Sequence, residues 1–259
     1  MTYISNKDYI IEVAAGRVPG SSIMYAMGER ESMGTTTAGE DVWRGNELSP
    51  APTSHTSIPI PPSIGEQMTV VSESANDTAA GTGARTVMIH YLDANGDEQE
   101  ENITMNGTTG VDTVATDIRF VNDFHVITAG SGLVTDDHIK IYSKADTGLV
   151  YNMIAQGGNK SLIPNRMVPR GKQLVMRGWD CSEAQGKRVA FRLRSTDIHG
   201  TYLEGMFLFK DNVYINQAAT GELKVNHTIP ELSIVKISAW PDAVGAEGAC
   251  SWWGILEDT

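Results

Sequence analysis

The sequence predicts an all-β protein, and two observations support this prediction. Short apolar segments alternate with polar residues at the period of a β-strand, and turn residues, mainly Gly, Asn and Thr, recur about every ten residues. No stretch keeps the 3.6-residue period of a long amphipathic helix. We expect an extended N-terminal arm followed by two β domains that resemble sandwiches or jelly rolls.

Composition and charge divide the 259 residues into three parts, at residues 65 and 148. The middle part, residues 66–148, carries 14 acidic and 4 basic side chains, so it holds −10 of the net charge of −12. A surface of this sign repels phosphate backbones, and the sequence therefore predicts no nucleic-acid partner. No apolar run approaches the ~20 residues of a membrane span, so we predict no membrane partner either.

Residues 1–65 are predicted to form the extended arm. Five prolines between positions 49 and 62 disfavour a helix or a central strand and favour extended backbone. A disordered tail with a stiff linker is the alternative. Because the arm carries many apolar side chains, we expect it to order on a neighbouring subunit. The candidate assembly contacts, one of them from the C-terminal domain, are Ile10, Ile11, Val13, Ile23, Met24, Tyr25, Met27, Trp43 and Trp253.

The middle part is predicted to be an acidic β domain over residues 66–148. The segment from Asp93 to Asp97, DANGD, is typical of a hairpin turn. It also begins like a calcium loop, but an EF-hand needs Gly at the sixth position and Glu at the twelfth, where this chain has Glu98 and Thr104. A turn is therefore the prediction. The predicted strands are Met68–Val71, Thr86–Leu92, Gln99–Met105, Ile118–Val121, Phe124–Thr128 and His138–Tyr142.

Residues 149–259 are predicted to form a C-terminal sandwich resembling a jelly roll. Adjacent strand residues point to opposite faces, so one of Trp252 and Trp253 is expected in the core and the other at the surface or at an interface. Cys181 and Cys250 are expected to be buried and reduced, and a disulfide bond between them is the alternative. The predicted strands are Gln173–Gly178, Arg188–Arg194, Met206–Phe209, Val213–Asn216, Ser233–Ala239 and Cys250–Leu256.

No motif in the sequence indicates catalysis, a metal or a cofactor. The six histidines do not pair at metal-ligand spacing, and the HExxH, CxxC and GxSxG patterns are absent. The run Glu98, Glu100 and Glu101 follows a hairpin, where charges usually face solvent. A catalytic pair of carboxylates that are far apart in the sequence is the open alternative. We therefore predict a protein that is not an enzyme and has no cofactor.

Several segments resemble structural proteins of tailed-bacteriophage virions. The main one spans residues 76–109, NDTAAGTGARTVMIHYLDANGDEQEENITMNGTT. The resemblance covers roughly residues 66–259. The other matching segments are the strand Ile118–Phe124, the turn Ala129–Gly132, and Val168–Gly171, Ile229–Glu231 and Gly254–Asp258.

The resemblance implies a virion structural protein without enzymatic activity. A capsid decoration (cement) protein on the outer surface of the capsid is the favoured form, and a neck, tail or fibre-attachment protein is the alternative. The implied partners are the major capsid protein or neighbouring virion proteins, in a homo-oligomer for which a trimer is favoured. Such a protein is made in the host cytoplasm. Two other classes stay open, a carbohydrate-binding β module using Trp252 or Trp253, and a glycan hydrolase.

Overall fold

The computed structural model describes residues 6–198, 201–202, 206–216 and 227–259, and it confirms the all-β class. No helix in this part of the chain is long and apolar enough to cross a membrane. The elements, in chain order, are α1 (Asn6–Ala14), β1 (Ser21–Met33), β2 (Glu40–Asp41), a 3-10 turn (Gly45–Glu47), β3 (Met68–Ser72), β4 (Ala84–Leu92), β5 (Glu98–Thr104), β6 (Val111–Asp112), β7 (Phe120–Ala129), β8 (Ile139–Ser143), β9 (Asp146–Ile154), β10 (Arg166–Met167), β11 (Lys172–Glu183), β12 (Arg188–Ser195), β13 (Asp197–Ile198), β14 (Thr201–Tyr202), β15 (Leu208–Asn216), β16 (Thr228–Ile229), β17 (Ile234–Pro241) and β18 (Ala246–Asp258).

Two antiparallel sheets form the C-terminal part and share one core. The first sheet has the strand order β1-β18-β11-β16, and the second has β10-β17-β12-β15, with β2 paired to β17. Trp179 and Trp252 from the first sheet join Phe191 and Ile237 from the second in one buried cluster. Alternation along each strand sends these side chains inward and the residues between them outward. The predicted strands of this region are present, although Met206–Phe209 and Val213–Asn216 belong largely to the single strand β15.

The extended arm predicted for residues 1–65 is not confirmed, because the structure includes β1 in a sheet of the C-terminal part. This strand pairs antiparallel with β18 of the same chain, from Ser21 opposite Glu257 to Met33 opposite Ala246. Met24, Ala26 and Met33 contribute to the shared C-terminal core. Burial of those side chains and the pairing of β1 with β18 both stabilise β1 within a single chain. β1 therefore needs no neighbouring subunit to become ordered.

Buried charges fix the segment after β1 to the second C-terminal sheet. Arg30 points into the interior and pairs with Glu40 at 2.7 Å, while Asp41 pairs with Lys236 at 2.9 Å. Asp41 also accepts hydrogen bonds from Ser238 Oγ and from the backbone N–H of Ile58. Buried ions of this kind are tolerated only when they are paired and hydrogen-bonded. The network therefore holds residues 30–58 against the second C-terminal sheet.

The middle part is built from two further antiparallel sheets. Their strand orders are β6-β3-β8-β9 and β5-β4-β7, and Val70, Ile141, Ile89 and Phe124 meet in a second core. The predicted strands are present, with Ile118–Val121 and Phe124–Thr128 merged largely into β7. The predicted boundary at residue 148 falls inside β9, which ends at Ile154 and pairs with β8.

The middle and C-terminal parts pack directly on each other. Asn122 donates to the backbone oxygen of Met167 at 2.9 Å and accepts from its N–H at 2.8 Å. Leu92 and Phe120 from the middle part form a small buried cluster with Met167 and Ile234. This junction has an apolar centre and a reciprocal amide pair, which together fix the position of one part against the other.

Candidate functional site

Four of the candidate assembly contacts lie together on the outer face of the first C-terminal sheet. Residues that alternate with the buried Met24 and Ala26 point outward, which places Ile23, Tyr25 and Met27 on this face. The register sets Tyr25 opposite Trp253. Tyr25 and Met27 are 47% and 40% exposed. We call this group of Ile23, Tyr25, Met27 and Trp253 the outer apolar face.

The chain makes this face through local features of two strands. Trp252 fills the core and Trp253 therefore turns outward, as the sequence predicts. Trp253 crosses the neighbouring strand at Gly178, where a side chain on the glycine would meet the indole nitrogen at 2.9 Å. Gly178 lies at a bulge in the pairing of β11 with β18. A residue without a side chain at this point leaves room for the indole ring to lie on the sheet.

Polar groups lie beside the outer apolar face. Lys160 Nζ lies 5.2 Å from the centre of the Tyr25 ring and 2.9 Å from an Asp123 oxygen. Glu29, two residues after Met27 on β1, pairs with Arg44 at 3.0 Å. An apolar centre containing aromatic and Met side chains within a polar rim is the usual anatomy of a protein–protein interface.

A groove of about 300 Å³ adjoins the face at Met27. Its lining includes Gly28, Cys181 and Cys250. The two cysteines face each other across β11 and β18, and both are buried and unbridged. Burial raises the pKa of each thiol well above its ordinary value, so both are protonated at neutral pH and act as small apolar side chains.

The chain was compared with known proteins at the level of family, sequence and structure. No protein-family model, curated protein or solved structure matches it.

The other candidate assembly contacts are placed elsewhere. Ile11 on α1 is exposed and Ile10 is half-buried. Val13, Met24 and Trp43 are buried within the chain and are therefore not exposed for contact with a neighbour. Trp43 packs in a cluster with residues of β9, and its indole N–H donates to the backbone oxygen of His55 at 2.9 Å. Their apolar character serves intrachain packing.

The sequence candidates for carbohydrate binding, calcium binding and glycan hydrolysis make hydrogen bonds within the chain. Trp252 is buried and donates its indole N–H to Pro164 O at 2.7 Å, so it has no face for a sugar ring. Asp93 accepts the backbone N–H groups of Asn95 and Asp97, which confirms the hairpin turn. The Glu101 carboxylate accepts the N–H groups of residues 114 and 115.

The fold also brings together a cluster that the sequence does not reveal. Potential ligand atoms of His90, Asp123 and His125 all lie within 4.8 Å of one another. They meet because β4 and β7 pair with His90 opposite Asp123, and such a register cannot be seen from spacing along the chain. Sequence analysis therefore missed this group.

The geometry of this cluster favours a structural role. The two imidazole rings stack with centroids 5.4 Å apart and planes inclined by 22°, so their in-plane lone pairs do not converge on one point. Lys160 already neutralises Asp123 at 2.9 Å. Burial raises the pKa of the Asp123 carboxyl, but Arg166 and Lys160 outweigh burial and hold that pKa below its usual range. Asp123 therefore acts as a counterion for these two cations.

Proposed function

We propose that this chain is a non-enzymatic structural protein of a tailed-phage virion and that it attaches to neighbouring virion proteins through the outer apolar face. The observation that carries the proposal is the clustering of Tyr25, Met27 and Trp253 on one sheet surface. Tyr, Trp and Met are the side chains that protein interfaces enrich at their centres. The resemblance of residues 76–109 to virion proteins supplies the biological setting.

We propose the capsid decoration role as the specific form. In this role the outer apolar face binds the major capsid protein, and the acidic middle domain points away from the particle. The net charge of −10 over residues 66–148 supports this orientation, because a strongly charged surface that faces solvent keeps the particle soluble. The expected partners are the capsid protein and other copies of this chain, with a trimer as the favoured oligomer.

Incorporation into particles tests this proposal. Tailed-phage particles purified from the source of this sequence are expected to carry the chain, and an antibody against it should label them at regular positions. Label over the head supports decoration, whereas label at the neck or tail supports the alternative virion role. Absence of the chain from purified particles would contradict both roles.

A pair of surface variants tests the part that the outer apolar face plays. Tyr25→Ser with Met27→Ser should abolish incorporation, because the change removes the two most exposed members of the face. The matched control is Val114→Ser with Val244→Ser, which also removes two exposed apolar side chains but elsewhere on the surface. The control should incorporate normally. Equal incorporation of both variants would show that this face is not the attachment surface.

A further inference from the structure

Cations and aromatic rings lie side by side on the outer face of the second C-terminal sheet. Alternation along β12 points Arg188, Arg192 and Arg194 away from the core, which the residues between them help to fill. The register sets Phe209 of β15 opposite Arg194. We call the group Arg192, Arg194, Phe209, Tyr214 and Trp240 the Arg–aromatic face.

The aromatic rings hold the guanidinium groups in position. Arg192 lies 4.2 Å from the ring centre of Trp240 and 4.8 Å from that of Phe209. Arg194 lies 5.7 Å from the ring centre of Phe209 and 5.2 Å from that of Phe207. A guanidinium stacked on a ring keeps its N–H donors at the edge of the plane, where they can reach an acceptor on another molecule.

Two of these cations have no ion-pair partner in the part of the chain that the structure describes. Arg188 pairs with Asp242, but neither Arg192 nor Arg194 lies within 4 Å of a described carboxylate oxygen. The Nε of Arg194 is buried without a hydrogen-bond partner. Within the chain both guanidinium groups donate only to neutral acceptors, Arg192 to Asn212 Oδ1 at 3.3 Å and Arg194 to Ser238 Oγ at 3.2 Å. An acceptor of opposite charge on another molecule would therefore complete the face.

The two exposed aromatic side chains add apolar area to these charges. Phe209 and Tyr214 are 57% and 62% exposed. They lie on β15, which pairs only with β12 and so forms an edge of the sheet among the described residues. Arg combined with Tyr, Trp and Phe is the composition of interaction hot spots between proteins.

The chain itself carries the surface that complements this face. Glu98 and Glu100 are exposed on β5, which is an edge strand of the acidic middle domain. Glu98 has no ion pair among the described residues, and Glu100 has only the distant His90 nitrogen at 3.6 Å. We infer that the Arg–aromatic face binds the acidic middle domain of a second copy of this chain, with the guanidinium groups of Arg192 and Arg194 on the carboxylates of β5.

Charge favours this docking over other orientations of two copies. Each chain has a net charge of −12, so most approaches between copies are repulsive. The contact of an arginine surface with the domain that carries −10 offsets that repulsion and orients the encounter. The contact joins different surfaces of the two copies, so repetition closes into a ring or extends a row. This inference does not depend on the proposed virion function.

Sedimentation velocity of the purified full chain tests the inference. The wild type should self-associate at about 0.05 M salt and dissociate at about 1 M, because high salt screens exposed charges. Arg192→Glu with Arg194→Glu, and separately Glu98→Lys with Glu100→Lys, should each weaken self-association at least about tenfold. An equimolar mixture of the two double variants should associate again. The control Arg177→Glu with Lys187→Glu makes the same charge change at two residues outside both contact surfaces that have no ion pair among the described residues, and it should behave as the wild type.

Three results would overturn the inference. One is a wild type that stays monomeric at low salt. Another is an oligomer that survives both double variants while circular dichroism shows them folded. A third is a monomer whose Arg–aromatic face binds a polyanion such as heparin, since this would assign the face to a different occupant. Failure of the mixture to associate, with both variants folded, would also contradict the pairing with β5.

Discussion

The assignment of β1 to the C-terminal core predicts opposite behaviour for two methionines on one strand. Met24 points inward and is 8% exposed, whereas Met27 points outward into the outer apolar face. We expect Met24→Ala to destabilise the isolated protein strongly and Met27→Ala to destabilise it only slightly. For incorporation into particles we expect the reverse, because Met27 belongs to the proposed attachment surface and Met24 does not.

The magnitudes follow from the burial of the two side chains. Met24 packs in the shared core, so its truncation removes apolar contacts and leaves a cavity, which costs about 2–5 kcal/mol of the free energy of unfolding. Met27 is partly solvated in the isolated protein, and its truncation leaves no enclosed cavity. The expected cost is about 1 kcal/mol or less.

Urea unfolding followed by tryptophan fluorescence measures this difference. Every tryptophan lies outside residues 66–148, so the signal reports the C-terminal part and the N-terminal segment packed on the chain. If the free energy of unfolding falls with urea concentration at the same slope in the wild type and the variants, their unfolding midpoints can be compared. If both substitutions leave the midpoint unchanged, β1 does not belong to the core of the isolated chain, and an arm that docks on a neighbour would be restored as the explanation.

Two further substitutions test the charges that hold the parts of the chain together. Asp41→Asn should cost about 3–5 kcal/mol in urea unfolding, because it leaves the Lys236 ammonium buried without a counterion. The double variant Asp41→Asn with Lys236→Met should recover part of that loss, and no recovery would exclude the unpaired charge as the cause. Asp123→Asn should lower the melting temperature at pH 7. Because the folded pKa of Asp123 lies below its unfolded value, the difference should narrow as pH falls below about 4, and a difference that stays constant over that range would contradict this.

Local patterns were sufficient to predict the strands of the middle domain. In β4, apolar side chains recur at the strand period, and the turn that follows has Gly96 at a left-handed position. The opposite orientation of Trp252 and Trp253 also follows from alternation alone. Such features depend on neighbouring residues, so one sequence is enough to find them.

The failures arose where a distant partner determines the structure. The inward side of β1 contains Gly28 and Arg30, which do not look like core residues, and Arg30 is buried only because Glu40 pairs with it. The partner strand of β1 lies more than 200 residues along the chain. The cluster of His90 and Asp123 likewise depends on the register between β4 and β7. Neither pairing can be inferred from the spacing of residues along the chain.

A cryo-electron microscopy map of the purified virus particle would test the proposed virion role most directly. We predict density for this chain on the particle, with Tyr25, Met27 and Trp253 buried against a neighbouring virion protein and the acidic middle domain facing outward. A particle without density for this chain would contradict the virion role. A chain present with these three side chains facing solvent would contradict attachment through the outer apolar face.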